Sequence, residues 1–267
     1  MTWRVVQASV VGTSHVENGE VCQDECLAGV FCAPDGEEYF FAIVSDGAGS
    51  ASHGRLGAEV ACDKGRDVIE HWVHKEVSLC RLTLETVTSW FIIINHHICQ
   101  AAKSKGLTPR DFACTLLGAV VGNKIAAFFQ IGDGAIVIGN GDSFQPVFWP
   151  DAGDYANMTY FITDEDALNH LKICLSSRES PPPSEVALFT DGLQRLALVY
   201  ESQTAYKPFF EPMFEIIRKA EEAACDTLSD QLASFLNSPK VNERTDDDKT
   251  LVLATCIDKN ENKGRYD

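Results

Sequence analysis

The sequence predicts an α+β fold on three observations. Strand-like and helix-like runs come in blocks, in the order strands, helices, strands, helices, strand, rather than in strict alternation. The β-rich stretch from Phe112 to Phe148 is broken by turns as short as Gly122-Asn123 and Gly139-Asn140-Gly141-Asp142. Turns of that length join antiparallel neighbours and leave no room for a helical crossover. Finally, three apolar runs, Tyr39 to Val44, Phe128 to Ile131 and Val186 to Phe189, lead into Asp46-Gly47, Asp133-Gly134 and Asp191-Gly192. Two sheets packed face to face and covered by helices satisfy this order, as one of the layerings open to it.

In chain order, strands are expected at Val5–Val11, Cys26–Cys32 and Tyr39–Val44. A helix follows in which Gly57, Ala61, Gly65, Val68 and Trp72 form one narrow stripe, small enough for close docking on a sheet. Leu84, Val87, Phe91, Ile94, Ile98 and Ala101 recur at spacings of three and four and mark a second, amphipathic helix. Beyond the β-rich stretch, residues 150–185 are irregular and acidic, end in Pro181-Pro182-Pro183, and read as an excursion over the surface. A strand at Glu185–Thr190 leads to helices around Phe210 to Ile217 and Leu228 to Phe235, and Thr250–Cys256 forms the last strand. No linker or long repeat interrupts this pattern, so residues 1–258 are expected to form a single domain and 259–267 a polar tail.

Of 267 residues, 22 are basic and 39 acidic, a formal charge of −17 that argues against a nucleic-acid-binding face. It suits a protein that concentrates cations and lets them recruit an anion. No run approaches the ~18 uncharged apolar residues of a membrane span, and the N-terminus lacks a signal peptide's basic start and apolar core. The 10 cysteines include no C-x-x-C pair. Cys62, Cys99, Cys114 and Cys174 fall inside apolar patterns and read as reduced, buried thiols of a cytoplasmic protein. His71 and His74 lack a matching third ligand, and the adjacent His96 and His97 point in different directions on a helix, so all four read as surface or satisfied core residues.

The chemistry is carried by the acids. A carboxylate at a strand end is held by a rigid sheet while its head stays accessible, and several brought together make a hard-oxygen cage suited to Mg²⁺ or Mn²⁺. Asp-Gly is also a common hairpin turn. Asp133 fits the turn reading, because Ala135-Ile136-Val137-Ile138 follows as a returning strand; Asp46 and Asp191 are followed instead by helical sequence. Two further acidic groups stand at Gln23-Asp24 and at Asp246-Asp247-Asp248, the latter just before the last strand.

The motif order Gly12-Thr13-Ser14-His15 … Cys22-Gln23-Asp24, Ser45-Asp46-Gly47-Ala48-Gly49, Gly132-Asp133-Gly134, Thr190-Asp191-Gly192 and Asp247-Asp248-Lys249-Thr250 resembles the metal-dependent (PPM-type) Ser/Thr protein phosphatases of the bacterial branch. The resemblance runs from about residue 8 to 256. It implies a four-layer αββα sandwich of two antiparallel sheets, with two divalent cations in a cleft at one end. By the same resemblance Asp46 bridges both metals and the Gly47 carbonyl binds the second. Asp191 and Asp247 complete the first site, with Asp248 as the neighbouring alternative. Asp24 supports metal-bound water, and Asp133 matches the position of a third, weaker metal in some members. The implied reaction is hydrolysis of phosphoserine and phosphothreonine by a metal-bridging hydroxide, which needs no covalent intermediate. No Cys-x5-Arg signature offers a thiolate route. The implied partners are a phosphorylated protein and the Ser/Thr kinase that made it.

The chain departs from the family in two places. Gln23 stands where members commonly carry Glu, and Gly19 where many carry a phosphate-binding Arg. His15 and Arg55 are the candidates to contact substrate in its stead. These departures keep a pseudophosphatase, binding phosphoproteins without turnover, as the alternative; a small-molecule phosphohydrolase and a metal-buffering protein are weaker rivals. Residues 150–185, with Asn157-Met158-Thr159-Tyr160-Phe161, lie where the family places a flap and are expected to shape specificity. Deleting them should then erase discrimination between phosphopeptides while small-substrate turnover survives.

Overall fold

The computed structural model describes residues 2–75, 82–150, 159–176 and 182–257. Its first elements are β1 (Thr2–Val10), α1 (Thr13–Asn18), β2 (Asp24–Cys32), β3 (Glu38–Asp46), α2 (Gly54–Lys75) and α3 (Leu84–Ser104). The middle of the chain forms β4 (Leu116–Val121), β5 (Ala126–Ile131), β6 (Ala135–Gly139), β7 (Phe144–Pro146), α4 (Ala167–His170) and β8 (Lys172–Leu175). Then come β9 (Glu185–Phe189), α5 (Gln194–Ala197), β10 (Leu198–Val199) and β11 (Thr204–Ala205). The described chain closes with α6 (Lys207–Lys219), α7 (Cys225–Leu236), α8 (Pro239–Asn242) and β12 (Lys249–Ile257).

Two five-stranded antiparallel sheets result, ordered β1-β12-β9-β6-β7 and β2-β3-β4-β5-β8. Their apolar runs are uninterrupted because both faces of the central strands are covered. On β3, Tyr39, Phe41 and Ile43 pack with α2 and α3, while Phe40, Ala42 and Val44 face the other sheet. On β12, Leu251 and Leu253 pack with α6 and α7, while Val252 and Ala254 point between the sheets. This period of two divides the core into three apolar slabs and yields the four-layer αββα sandwich.

The helices cover the sheets as their patterns require. Gly65 on the small-residue stripe of α2 lies against β3, where a Cβ would come within 2.7 Å of Ile43. Helix α3 is capped by Thr83, whose hydroxyl accepts the Thr86 N–H, and it buries Val87, Phe91, Ile94 and Ile98. Nine described cysteines are free; Cys62 and Cys114 are buried, Cys99 and Cys174 half-buried. His71, His74 and His96 are exposed and His97 half-buried.

The structure differs from the sequence expectation in three places. Residues 150–185 are not wholly irregular: Lys172–Leu175 forms the edge strand β8 beside β5, too short to show alternation. The polar stretch after Gly12 contains α1, a six-residue helix with no buried residue. Most consequentially, Asp133-Gly134 is not a hairpin turn, because β5 and β6 belong to different sheets and the chain crosses between them there. Asn157, Met158 and the tail 259–267 lie outside the described residues.

Candidate active site

Both sheets end their strands at the same edge of the sandwich. Strands β2 and β3 pair in a register that sets Asp24 opposite Asp46. The end of β3 is pinned by Thr115, whose Oγ1 accepts the Asp46 N–H at 2.9 Å and whose N–H donates to the Asp46 carbonyl at 2.8 Å. From the other sheet, β9 runs out into Asp191 and β12 begins just after Asp248, and these strands are paired neighbours. Asp133 joins them from the crossover between β5 and β6, where Thr159 Oγ1 donates to its Oδ2 at 2.5 Å. Gly192 allows the closest approach of the two loops: a Cβ there would lie 2.0 Å from the Asp248 carbonyl oxygen.

The outcome is a carboxylate cage. One oxygen from each of Asp46, Asp133 and Asp191 lies within 4.8 Å of the others. Crowding of like charge in a desolvated cleft disfavours ionisation. Burial, then the Asp24, Asp191, Asp133 and Asp247 carboxylates, hold Asp46 well above the usual carboxylate range. Burial, Asp133 and Asp247 push Asp191 up to about 7. Asp24 is pushed up to about 8 by burial, against the opposing effect of its hydroxyl donors. Those donors, Thr190 Oγ1 and Thr250 Oγ1, reach Asp24 Oδ2 at 2.7 and 2.8 Å, while buried Oδ1 is left without a hydrogen-bond partner. Gln23 Oε1 is likewise buried and unpartnered. Orphaned oxygens and carboxylates raised by burial and by mutual repulsion are the donor set a hard divalent cation requires, so the residues fit the metals that the resemblance implies.

The adjacent acids Asp247 and Asp248 do different things. Asp248 is buried and accepts the Gly12 N–H and the Gln23 N–H, each at 2.6 Å, with His15 Nδ1 at 2.9 Å. Asp247 instead lines the cleft with Asp133 and Asp191, and burial raises its pKa. His15 is thus turned toward Asp248, with Glu20 at 3.6 Å on its other nitrogen. Arg55 pairs with Glu59 at 2.9 Å on the first turn of α2. Neither is among the side chains lining the cleft. Gly19 closes α1 at φ 72°, a left-handed conformation that an arginine would adopt only with strain.

The cleft, about 500 Å³, is also lined by residues that sequence reasoning missed. Arg195 and Arg244 are both exposed there. The signal was present: Arg195 follows Asp191 by one helical turn, and Arg244 precedes Asp247 by three residues. Trp149 and Tyr200 form an aromatic wall, ring centroids 5.3 Å apart and edge to face. Tyr200 OH donates to Gln194 Oε1, whose amide donates in turn to the Asp133 carbonyl, tying that wall to the cage.

A two-sheet sandwich with a carboxylate cage at the strand ends is the architecture of a metal-dependent phosphatase, and comparison with known proteins agrees. The family model described as protein phosphatase 2C matches residues 11–237. Serine/threonine-protein phosphatase 3 of Escherichia coli (strain K12) is 41% identical over 256 residues, covering 95% of this chain and 98% of that protein. The catalytic domain of the serine/threonine phosphatase PstP, solved in complex with two manganese ions, superposes with TM-score 0.62 at 14% identity over 96% of this chain and 99% of that one. The Staphylococcus aureus phosphatase Stp1 superposes with TM-score 0.60 at 14% identity over 97% and 96%. The chain belongs to the protein phosphatase 2C family of metal-dependent Ser/Thr phosphatases.

Proposed function

We propose that this phosphatase hydrolyses phosphoserine and phosphothreonine in cytoplasmic proteins, opposing a Ser/Thr kinase, through a domain spanning residues 1–258. The observation that carries the reading is the convergence of Asp46, Asp133 and Asp191 within 4.8 Å, drawn from strand ends of both sheets and the crossover between them. Asp46, Asp191, Asp247 and the Gly47 carbonyl would hold two Mg²⁺ or Mn²⁺ ions, and Asp133 would serve a third. Bound there, divalent cations supply Lewis acidity, lowering the pKa of water and neutralising charge that grows on the phosphoryl oxygens.

The chain's own groups orient this chemistry. Thr190 and Thr250 fix the Asp24 carboxylate through Oδ2, which reserves Oδ1 to accept a proton or hold a water beside Asp46. Asp248, clamped by two backbone N–H groups, fastens the loops after β1 and before β2 to the start of β12. His15, on α1, lies with Nδ1 2.9 Å from Asp248 and acts on the site only through that acid. Burial and the Asp24 and Asp248 carboxylates push the Cys22 thiol far up, so Cys22 does not compete as a thiolate. The pseudophosphatase alternative is not favoured, since Gln23 and Gly19 leave the carboxylate cage intact.

The test is hydrolysis of p-nitrophenyl phosphate and of a phosphothreonine peptide with Mn²⁺, Mg²⁺ or EDTA. Turnover that requires the metal is expected. Absence of turnover with either metal, while metal binding is still measurable, would overturn the reading in favour of a binding module.

A further inference from the structure

Resting on that reading, we propose that Arg195 and Arg244 recognise anionic groups flanking the phosphoresidue, so that the substrates are acidic phosphopeptides. Acids and arginines together line the cleft: Asp133, Asp191, Asp246 and Asp247 with Arg195 and Arg244. Asp133, Asp191 and Asp247 converge on the cage, whereas the two guanidinium groups belong to the segments just after Asp191 and just before Asp247. Arg195 is placed by α5, which continues directly from the turn at Asp191 to Leu193. Arg244 follows α8 by two residues and is anchored through its N–H to the Val241 carbonyl.

Among the described residues neither side chain makes an ion pair or hydrogen bond, although the protein carries 39 acidic residues against 22 basic ones. Three other described arginines, Arg55, Arg66 and Arg218, each hold a carboxylate, which Arg195 and Arg244 do not. Two that stay unpaired on one cleft are available to an incoming anion, and a planar fork is suited to bidentate capture of carboxylate or phosphate. The aromatic wall of Trp149 and Tyr200, the latter 52% exposed, lies in the same cleft and offers a surface for the peptide beside them. The cage handles the scissile phosphate; the arginines read its neighbours.

Two exposed guanidinium–anion contacts, each worth about three-fold, set an expected preference of about ten-fold. The experiment compares kcat/KM of the full chain with Mn²⁺ on a phosphothreonine peptide flanked by Asp and Glu and on its Asn/Gln-flanked isostere. Dissociation constants of both peptides are measured alongside by fluorescence anisotropy. A preference of about ten-fold for the acidic peptide, carried by KM, is expected. It should fall to near one in the Arg195→Gln/Arg244→Gln double variant and be partly kept by the two Lys replacements. A wild-type ratio near one, or a ratio that survives in the double variant, overturns the proposal. Failure of the phosphatase reading is distinguishable: p-nitrophenyl phosphate would then go unhydrolysed by the wild type, while the anisotropy ratio still decides the role of the arginines.

Discussion

The two sheets bring different chemistry to one cleft. The sheet containing β2 and β3 contributes Asp24 and Asp46 to the cage, directly opposed and held by hydroxyls and backbone, and among the described residues no cation from its strands lines the cleft. The sheet containing β9 and β12 contributes Asp191 and Asp247, each within about a helical turn of an unpaired arginine. One half concentrates like charge against its own repulsion; the other pairs that charge with the means to receive an anion. The contrast separates cation loading from substrate recognition, and substitutions on each side should fail in different ways.

The largest effect belongs to the first half. Asp46→Asn keeps the shape of the side chain but removes the central charge of the cage, and turnover should fall by at least about 10³-fold. The Asp46 carboxylate is desolvated among four others, so its removal relieves repulsion. The variant should therefore unfold at the same or higher temperature than the metal-free wild type. A variant that lost activity by unfolding would break the comparison.

Next in size is the pair Asp247 and Asp248. Asp248→Asn places an amide against two N–H donors that now bond at 2.6 Å, and should cost about 2–4 kcal/mol in urea unfolding. Asp247→Asn leaves those bonds alone; it should weaken Mn²⁺ binding at least about ten-fold by titration calorimetry with little change in metal-free stability. Equal loss of stability in both variants would show that the two acids are one structural unit.

That distinction was out of reach of the sequence, where the two acids are neighbours in one run. Burial and hydrogen bonding separate them, and both depend on Gly12 and Gln23 more than two hundred residues away. The layers were far more legible, because uninterrupted apolar strands and amphipathic helices report local periodicity. Asp46 and Asp191 were legible for the same reason, each at the end of a strand followed by helical sequence. Asp133 was less so, since a chain crossing between sheets and a hairpin share the same Asp-Gly signal; only pairing partners tell them apart. Arg195 and Arg244 were missed because a guanidinium's meaning depends on whether an acid already holds it.

A moderate effect is expected from pH. The ordinary value for an aspartate is 3.8, against about 8 for folded Asp24 and about 7 for folded Asp191. Between those limits the folded chain binds more protons than the unfolded one, so metal-free stability falls as pH rises from about 4 to about 8. The melting temperature of EDTA-treated protein should drop by about 5 °C or more between pH 5.5 and 8. Saturating Mn²⁺ should remove the slope, because cations replace protons in the cage and bind more tightly as pH rises. A metal-free protein that grows more stable toward pH 8 would mean that the acids are not crowded in solution as they are here.

The smallest effect sharpens the comparison from outside the cleft. Arg55 begins α2 close behind the Asp46 loop, near enough in sequence to suggest contact with substrate, yet its guanidinium is 2.9 Å from Glu59 and about half exposed. An exposed pair of this kind contributes about 0.2–1 kcal/mol to stability and holds the guanidinium to Glu59 through Nε. Arg55→Ala should therefore change kcat/KM for either flanking peptide by less than about two-fold, whereas loss of Arg195 and Arg244 changes their ratio. If Arg55→Ala instead raised KM for p-nitrophenyl phosphate, the side chain would have to leave Glu59 when substrate arrives. The sheet containing β3 would then supply a substrate-binding cation too, and the division of labour between the two sheets would not hold.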